Sequence, residues 1–418
     1  MTKVGLVVHR TFHAVHHSHN FRLFFAGQAV SVTGTWVQYV ASSWLVLRLT
    51  GSGVALGLVT ALNFAPILFF GAWTGVLADR HDKRRILLGT QTAFGVLALA
   101  LAAIVATGIV ELWMVYVLAF LQGVVTSLDT PTRQSFFAEM VGARHLTNAV
   151  SLNSAVMTGT RIVGPAFAGL LIAGVGLASC FLVNGVSYLA MIAALLAMRP
   201  EDLRRPEALT GRGHLREGLR YVWQTRELRD PLLMMAVVFT LSFNFSVLVP
   251  LLAERTFGED AGTFGLLLAA MGAGSFVGAL AMANRAEPNP RRIAGSIVGL
   301  GLASVLAAVA PNLGIEVALL VVLGLVSIVF MITANTTMQL TARPEMRGRV
   351  MAIYSIVFLG GTPIGAPLAG LTAEVLGPRW AFALGGAIAG AVGLVGLRAV
   401  RRRTSKETIG PVALAPAA

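Results

Sequence analysis

Residues 164–170 are Gly-Pro-Ala-Phe-Ala-Gly-Leu, and residues 365–371, which begin 201 positions later, are Gly-Ala-Pro-Leu-Ala-Gly-Leu. A second pair of short matches, residues 75–78 (Gly-Val-Leu-Ala) and 278–281 (Gly-Ala-Leu-Ala), is 203 positions apart. Two matches at nearly one offset carry more weight than either alone. They predict a chain built from two related halves.

The composition around these repeats is that of a membrane protein. Of the 418 residues, 56% are apolar and 12% are charged, against roughly 25% charged in a soluble domain. Cys180 is the single cysteine, which excludes an intrachain disulfide and a cysteine-ligated metal. The first 25 residues lack the apolar core of a secretory signal, so we expect the N-terminus to be retained.

A helix needs about 20 mostly apolar residues to cross a bilayer, and the sequence contains twelve such segments, six in each half. Duplicated six-helix halves are typical of secondary transporters, which bind their substrates between the halves near the bilayer midplane. The predicted spans are Phe24–Leu47, Val54–Leu77, Ile86–Thr107, Leu112–Ser127, Ala149–Val175, Cys180–Met198, Leu232–Leu252, Phe264–Ala283, Ile293–Ala310, Val317–Met338, Met351–Leu376 and Trp380–Leu397.

The basic residues predict the orientation. With a cytoplasmic N-terminus, 28 of the 32 lysine and arginine residues fall in segments on the inner side, as the positive-inside rule requires. We therefore expect a multi-pass protein of the cytoplasmic (inner) membrane with both termini inside. The positive charge then faces anionic lipid headgroups, and nucleic acid is not an expected partner.

The polar segments complete the predicted organisation. In the linker between the halves, Leu219, Val222 and Trp223 share one face of a charged helix, as in an interfacial amphipathic helix or an ordinary surface helix. The predicted regions are a cytoplasmic N-terminal segment (1–23), an N-terminal bundle (24–198), the linker (199–230), a C-terminal bundle (231–398) and a cytoplasmic tail (399–418).

After the second span, residues 75–85 (Gly-Val-Leu-Ala-Asp-Arg-His-Asp-Lys-Arg-Arg) resemble the loop 2–3 signature of the major facilitator superfamily, with Asp82 where glycine is usual. Residues 20–28, 44–52, 131–134 and 148–153 look like the branch that contains the enterobactin exporter and macrolide efflux proteins. The resemblance implies a twelve-helix exporter, working as a monomer and driven by an ion gradient, most often of protons.

The resemblance also implies roles for the charges of this loop. Asp79, followed by Arg80, would meet the start of span eleven and hold the cytoplasmic side closed in the outward-facing state. Lys83 would bridge to Asp129 in span four, which makes these four residues a charge relay. The alternative is an ordinary basic loop.

Span five contains a motif similar to the antiporter signature of the superfamily. Gly159, Gly164, Pro165 and Gly169 match that signature, whereas Thr160 and Ala168 replace two of its glycines. In the family the motif accompanies export. Close helix packing, which small residues permit, is the alternative.

Arg161 is the single charged residue near the middle of a predicted span. A charge there costs at least ~2.5–3.5 kcal/mol, so the side chain should face the protein interior. It is a candidate for coupling, with a structural role as the alternative, and by the predicted boundaries Asp129 lies too near the cytoplasm to pair with it directly. The spans offer no carboxylate at mid-depth, which weakens a standard proton-coupling mechanism.

In the family the substrate cavity is lined by spans one, four, seven and ten. These spans contribute neutral amides and aromatic rings, which suit a hydrophobic or amphiphilic compound, although each polar group could instead bond between helices. The candidates are Trp36, Gln38, Gln122, Asn244 and Asn335.

Other functions have less support. None of the three lysines lies in a nucleotide-binding P-loop, and the spans contain no catalytic constellation, so we expect neither an enzyme nor a cofactor. His13/His17 and His16/His19 have helical spacing for a metal, but a solvated segment is favoured. The leading hypothesis is a secondary exporter of drug-, macrolide- or siderophore-like compounds; the alternatives are a nutrient importer and a non-transporting sensor or enzyme.

Overall fold

The computed structural model describes residues 13–203, 215–258, 260–282 and 289–408. Within these ranges some side chains lie outside the description, namely those of His13, Ala72, Asp79, Ala143, Arg144, Leu215 and residues 403–408. The described chain is almost entirely α-helical and contains no strand.

The prediction of an all-helical membrane fold is confirmed. Eleven helices in the described residues are long and apolar enough to cross a bilayer, and the remaining span, His19–Thr50, has 32 residues. The spans in order are His19–Thr50, Gly53–Arg80, Lys83–Ala106, Leu112–Gly142, His145–Gly174, Leu177–Leu196, Arg226–Phe257, Ala261–Met282, Pro290–Ala308, Leu313–Thr341, Arg347–Leu376 and Pro378–Thr408.

Span one is less apolar than the others because its polar side chains bond inside the N-terminal half. Asn20 exchanges two hydrogen bonds with the backbone of Arg199, at 2.8 and 2.9 Å. The Gln38 side-chain oxygen accepts from Asn184 in span six at 2.6 Å. These bonds satisfy groups that would be costly to expose to lipid.

Span four extends beyond its predicted end at Ser127 and continues to Gly142. The positive φ of Gly142 (69°) interrupts the helix, and span five follows at His145. The added turns contain charges that a hydropathy criterion places in a loop. They stay helical and buried because they are paired within the protein, as described below.

Spans seven and eleven are broken. Span seven consists of Arg226–Leu241 and Phe245–Phe257, and span eleven of Arg347–Gly360 and Thr362–Leu376. The two breaks pack together, since a Cβ atom built on Gly361 would lie 2.8 Å from the Thr240 hydroxyl. Interrupted helices at matching depth are a recurring feature of transporter folds.

The two halves repeat one packing pattern. Span two packs on span four and span three on span six, and correspondingly span eight packs on span ten and span nine on span twelve. The halves meet along two seams, one between spans five and eight and the other between spans two and eleven. The duplication seen in the sequence is therefore a duplication of structure.

The linker helix Leu215–Gln224 is attached to the C-terminal half. Glu217 pairs with Arg349 at 3.3 Å, and the Arg343 guanidinium lies 5.9 Å from the Tyr221 ring centroid. The three residues of its predicted apolar face do not share one environment, because Val222 is buried whereas Leu219 and Trp223 are exposed.

Candidate functional site

The seam between spans five and eight brings backbones into contact. A Cβ atom built on Gly265 would lie 2.5 Å from the Pro165 carbonyl oxygen, and one on Gly272 would lie 2.8 Å from that of Arg161. A Cβ on Gly169 would lie 3.0 Å from Gly262. Only residues without a side chain allow such an approach, so glycine is required on both helices.

The seam between spans two and eleven has the same character. A Cβ atom built on Gly57 would lie 2.5 Å from the Ala366 carbonyl oxygen, and one on Gly53 would lie 2.7 Å from that of Gly370. Gly53 begins span two, and Gly370 lies near the end of span eleven. Both seams therefore lie at one end of the bundle, which we call the closed end.

Polar contacts join the halves at the closed end. The Glu374 carboxylate accepts from the Ser52 hydroxyl at 2.8 Å and from the Val54 amide at 3.1 Å. Arg255 donates to the carbonyl oxygen of Gly51. We call these residues the clasp, because Gly51–Val54 belong to the N-terminal half and Arg255 and Glu374 to the C-terminal half.

The opposite end carries the arginine-rich segments 80–85, 343–349 and 398–402, and we call it the basic end. The glycines of span two that lie toward this end make no close contact: Cβ atoms built on Gly71 and Gly75 would meet nothing within 4 Å. Gly159 in span five is equally open. At these three positions, the close backbone contact that joins the halves at the closed end is absent.

The loop between spans two and three is held at the basic end by ion pairs and helix caps. Lys83 and Glu139 form a buried ion pair with Nζ 2.6 Å from Oε1. The resemblance implied Asp129 as the partner, and the structure differs. Arg80 is exposed, and Asp79 lies outside the described side chains.

Asp129 belongs to a different network. Its carboxylate accepts from the Arg133 guanidinium at 2.7 and 2.9 Å, from the Thr90 hydroxyl at 2.7 Å and from the Gln91 amide at 2.8 Å. Charge-assisted bonds of this number satisfy a buried carboxylate well. Asp129 therefore joins span three to span four.

A cavity of about 490 Å³ runs through the N-terminal half between spans one to six. Its lining combines aromatic rings with amides and includes the Asp129–Arg133 pair, so a carboxylate does reach the interior of the spans. Three of the residues that the sequence predicts as substrate contacts line this cavity, namely Trp36, Gln38 and Gln122. The other polar and aromatic lining residues include Tyr39, Asn63, Phe64, Gln91, Phe94 and Tyr188.

The two remaining cavity candidates lie in the C-terminal half and do not line this cavity. Asn244 is buried at the break of span seven, where it donates to the Thr240 carbonyl oxygen at 2.8 Å. Asn335 accepts from Gln339 within span ten at 2.8 Å. Both amides therefore have a local structural use.

Arg161 lies in span five at the seam with span eight. Its guanidinium carbon is 5.3 Å from the Trp36 ring centroid, a cation–π contact. Among the described residues no carboxylate pairs with it. The structure thus brings Arg161 to the cavity residue Trp36 and keeps it apart from Asp129.

Comparison with known proteins matches residues 11–415 to the model of the family described as transmembrane secretion effector, within the major facilitator superfamily. The chain belongs to this family. It is 31% identical over 403 residues to the multidrug efflux pump Tap of Mycobacterium tuberculosis, covering 93% of this chain and 94% of that protein. The prediction of the superfamily is confirmed: the protein is a transporter and not an enzyme.

Other relatives transport different compounds. The staphyloferrin A transporter of Staphylococcus aureus is 24% identical, covering 87% of this chain and 92% of that one. Macrolide efflux protein A of Streptococcus pyogenes is 25% identical, covering 88% of this chain and 93% of that protein. A bacterial homologue of the human lysosomal transporter Spinster, solved inward-facing, has the same fold, with a TM-score of 0.69, 16% identity and coverage of 94% and 98%.

The departure of this chain from the superfamily loop signature has a structural explanation. Asp82, where glycine is usual, is the N-cap of span three and accepts from the Arg85 amide at 3.1 Å. Arg84 donates to the carbonyl oxygens of Leu195 and Leu196 at the end of span six. The loop is therefore fixed to its own half at both positions.

Sequence reasoning missed the clasp and Glu139. The contacts of Glu374 and Arg255 join segments more than 200 residues apart, and no local pattern marks such partners. The signal that was available is that basic residues are rare on the closed side of the chain, where Arg255 lies. Glu139 was missed because span four was predicted to end before it.

Substitutions of two glycines of the antiporter-like motif should have opposite consequences for stability. A Cβ atom on Gly164 would overlap the Cβ of Trp36, whereas one on Gly159 would meet nothing within 4 Å. We expect Gly164→Ala to lower the melting temperature by several degrees, since overpacking costs ~1–3 kcal/mol. Gly159→Ala should leave it unchanged or higher. Thermal unfolding of the purified variants tests this, and equal losses would contradict it.

Proposed function

We propose that this family member is a proton-driven exporter of small hydrophobic or amphiphilic compounds, working by alternating access in the cytoplasmic membrane. The observation that carries the proposal is the asymmetry of the two ends: glycine seams and the clasp join the halves at the closed end, whereas Gly71, Gly75 and Gly159 toward the basic end make no such contact. One closed and one open end is what alternating access requires of each state.

The basic end is assigned to the cytoplasm. The positive-inside rule supports this orientation, with both termini inside and anionic lipid against the arginine-rich segments. In this orientation the structure is the inward-open state, ready to take compounds from the cytoplasm or the inner leaflet. We propose that the monomer is the functional unit, because the cavity is enclosed by helices of one chain.

The drug-, macrolide- and siderophore-transporting relatives support a compound of this size and character. The cavity supports a small amphiphile, since about 490 Å³ lined by rings and amides fits a compound of that kind. Within the cavity, Trp36, Gln38 and Gln122 are proposed substrate contacts. Asp79, Arg80 and Lys83 are proposed to hold the basic end closed in the opposite state, with the Asp129 network as support.

An accumulation assay tests export. In an efflux-deficient bacterial host, cells expressing the protein should accumulate less of a transported dye or antibiotic than cells with empty vector. A protonophore should abolish the difference, because it removes the gradient. Asp79→Asn should also abolish it, while Arg85→Gln, a change of the exposed basic side chain in the same loop, should not.

The outcomes separate the alternatives. Accumulation above that of empty vector would contradict export and favour import. Export that persists with the protonophore would contradict proton coupling while leaving the direction intact. No difference across a wide panel that includes siderophores would contradict the proposed range of substrates.

A further inference from the structure

The side chain of Arg161 is a membrane-embedded cation without a counter-ion. Among the described residues, no hydrogen bond and no ion pair involves its guanidinium, and its titratable neighbour is the phenol of Tyr39. A charge at this depth costs at least ~2.5–3.5 kcal/mol. The contact with the face of Trp36 repays part of this cost but uses none of the guanidinium N–H donors.

The backbone around Arg161 is fixed. Its carbonyl oxygen lies 2.8 Å from a Cβ built on Gly272, at the seam with span eight. One turn later, Gly164 packs on Trp36 and Thr33 of span one. The backbone from which the side chain extends is therefore held at a set place on the wall between the halves, and the guanidinium lies against the Trp36 ring.

The surroundings of the guanidinium offer hydrogen-bond donors and an apolar surface. Tyr39 neighbours both Arg161 and Ser246 of span seven, so the Tyr39 hydroxyl lies near the cation and the Ser246 hydroxyl lies near that of Tyr39. Trp36, Tyr39 and Met157, which precedes Arg161 by one turn, line the cavity of the N-terminal half. Arg161 does not itself line this cavity, but its guanidinium lies against the ring of Trp36, which does. A ligand packed against Trp36 would therefore have aromatic rings along its body and Arg161 next to one end.

We propose that Arg161 anchors a carboxylate of the transported compound, and that the substrates are amphiphilic carboxylic acids. The proposal rests on the proposed export function and names its substrate class. A carboxylate matches the planar, two-pronged donor geometry of a guanidinium. The charged residues that line the cavity, Asp129 and Arg133, neutralise each other, so a neutral or cationic compound would leave Arg161 unpaired.

A binding measurement on the purified full-length protein tests the proposal. The probes are 11-(dansylamino)undecanoic acid and its methyl ester, which differ only in the carboxylate, with binding followed by dansyl fluorescence. We expect the wild type to bind the acid about tenfold more tightly than the ester, as for one hydrogen bond to a charged group. Arg161→Gln should remove this preference, and Arg161→Lys should retain part of it.

Controls distinguish an anchor from a structural residue. Arg349→Gln removes an equal charge at the basic end and should leave the preference unchanged. Variants are compared only if they elute as single species and melt cooperatively. If Arg161→Gln fails this requirement, the proposal is tested by the ratio of the affinities for acid and ester, compared between the wild type and Arg161→Lys.

Three results would overturn the proposal. They are equal binding of acid and ester by the wild type, a persistent preference in Arg161→Gln, and tighter binding of a lysophosphatidate than of the acid, which would assign the site to lipid headgroups. Because the measurement needs no gradient, it is independent of transport. An acid preference without efflux would overturn only the export function, and efflux without an acid preference would overturn only this inference.

Discussion

Gly57→Val is expected to reduce export at least about fivefold. A Cβ atom at this position would lie 2.5 Å from the Ala366 carbonyl oxygen, and backbone cannot move aside as a flexible side chain can. The valine must therefore push spans two and eleven apart, at a cost of ~1–3 kcal/mol. A cost of that size, applied to one state of a two-state equilibrium, shifts its population about 5- to 150-fold. Efflux rates in the accumulation assay measure the effect.

The control is Gly89→Val. Gly89 lies in span three, faces open space, and belongs to a helix that contacts only its own half. Export should stay near wild type. A conformational readout comes from a Ser52→Cys/Glu374→Cys pair across the clasp, treated with a short thiol cross-linker. Gly57→Val should lower its yield, and an unchanged yield together with full export would show that the seam tolerates the added volume.

Lys83→Ala is expected to cause a large loss of folded protein. The substitution leaves Glu139 buried without its partner, and breaking a buried pair by removing one member costs ~3–5 kcal/mol. The double substitution Lys83→Met/Glu139→Leu removes both charges and should recover much of the stability. Melting temperature and yield of monodisperse protein are the measurements.

Arg85→Ala provides the matched control, because it removes a basic side chain two positions away that is exposed. Its effect on melting temperature should be within a degree or two. If Lys83→Ala were equally mild, the pair with Glu139 would not stabilise the fold. If the double substitution were as damaging as Lys83→Ala, the site would require the charged pair itself, and the unpaired charge of Glu139 would not explain the loss.

Much of the fold could be predicted because bilayer thickness sets helix length and the repeats reveal the duplication. The errors have a common physical origin. Hydropathy ends a helix at the first cluster of charges, and so it ended span four at Ser127 instead of Gly142. The pairing of Lys83 with Asp129 was implied by the resemblance. The actual partner, Glu139, lies ten residues beyond Asp129, about 15 Å farther along the helix at 1.5 Å per residue.

The candidate site was predictable only in part. Trp36, Gln38 and Gln122 line the cavity. Their position could be predicted because polar side chains within a membrane span face the protein interior and not the lipid. Asn244 is likewise an amide within a predicted span, yet it bonds to the backbone at the break in span seven. No local sequence pattern indicated this break. Contacts between Gly57 and Ala366 join positions that are far apart in the chain, and a single sequence carries no record of them.

The attachment of the linker helix has a consequence for assembly. Leu203 packs on the core of the N-terminal half, and the linker helix is bonded to the C-terminal half, so eleven residues, 204–214, form the whole covalent connection between them. Such a short tether keeps the halves at an effective concentration in the millimolar range. In the proposed transport cycle, such a tether would let the glycine seams open without the halves parting in the membrane.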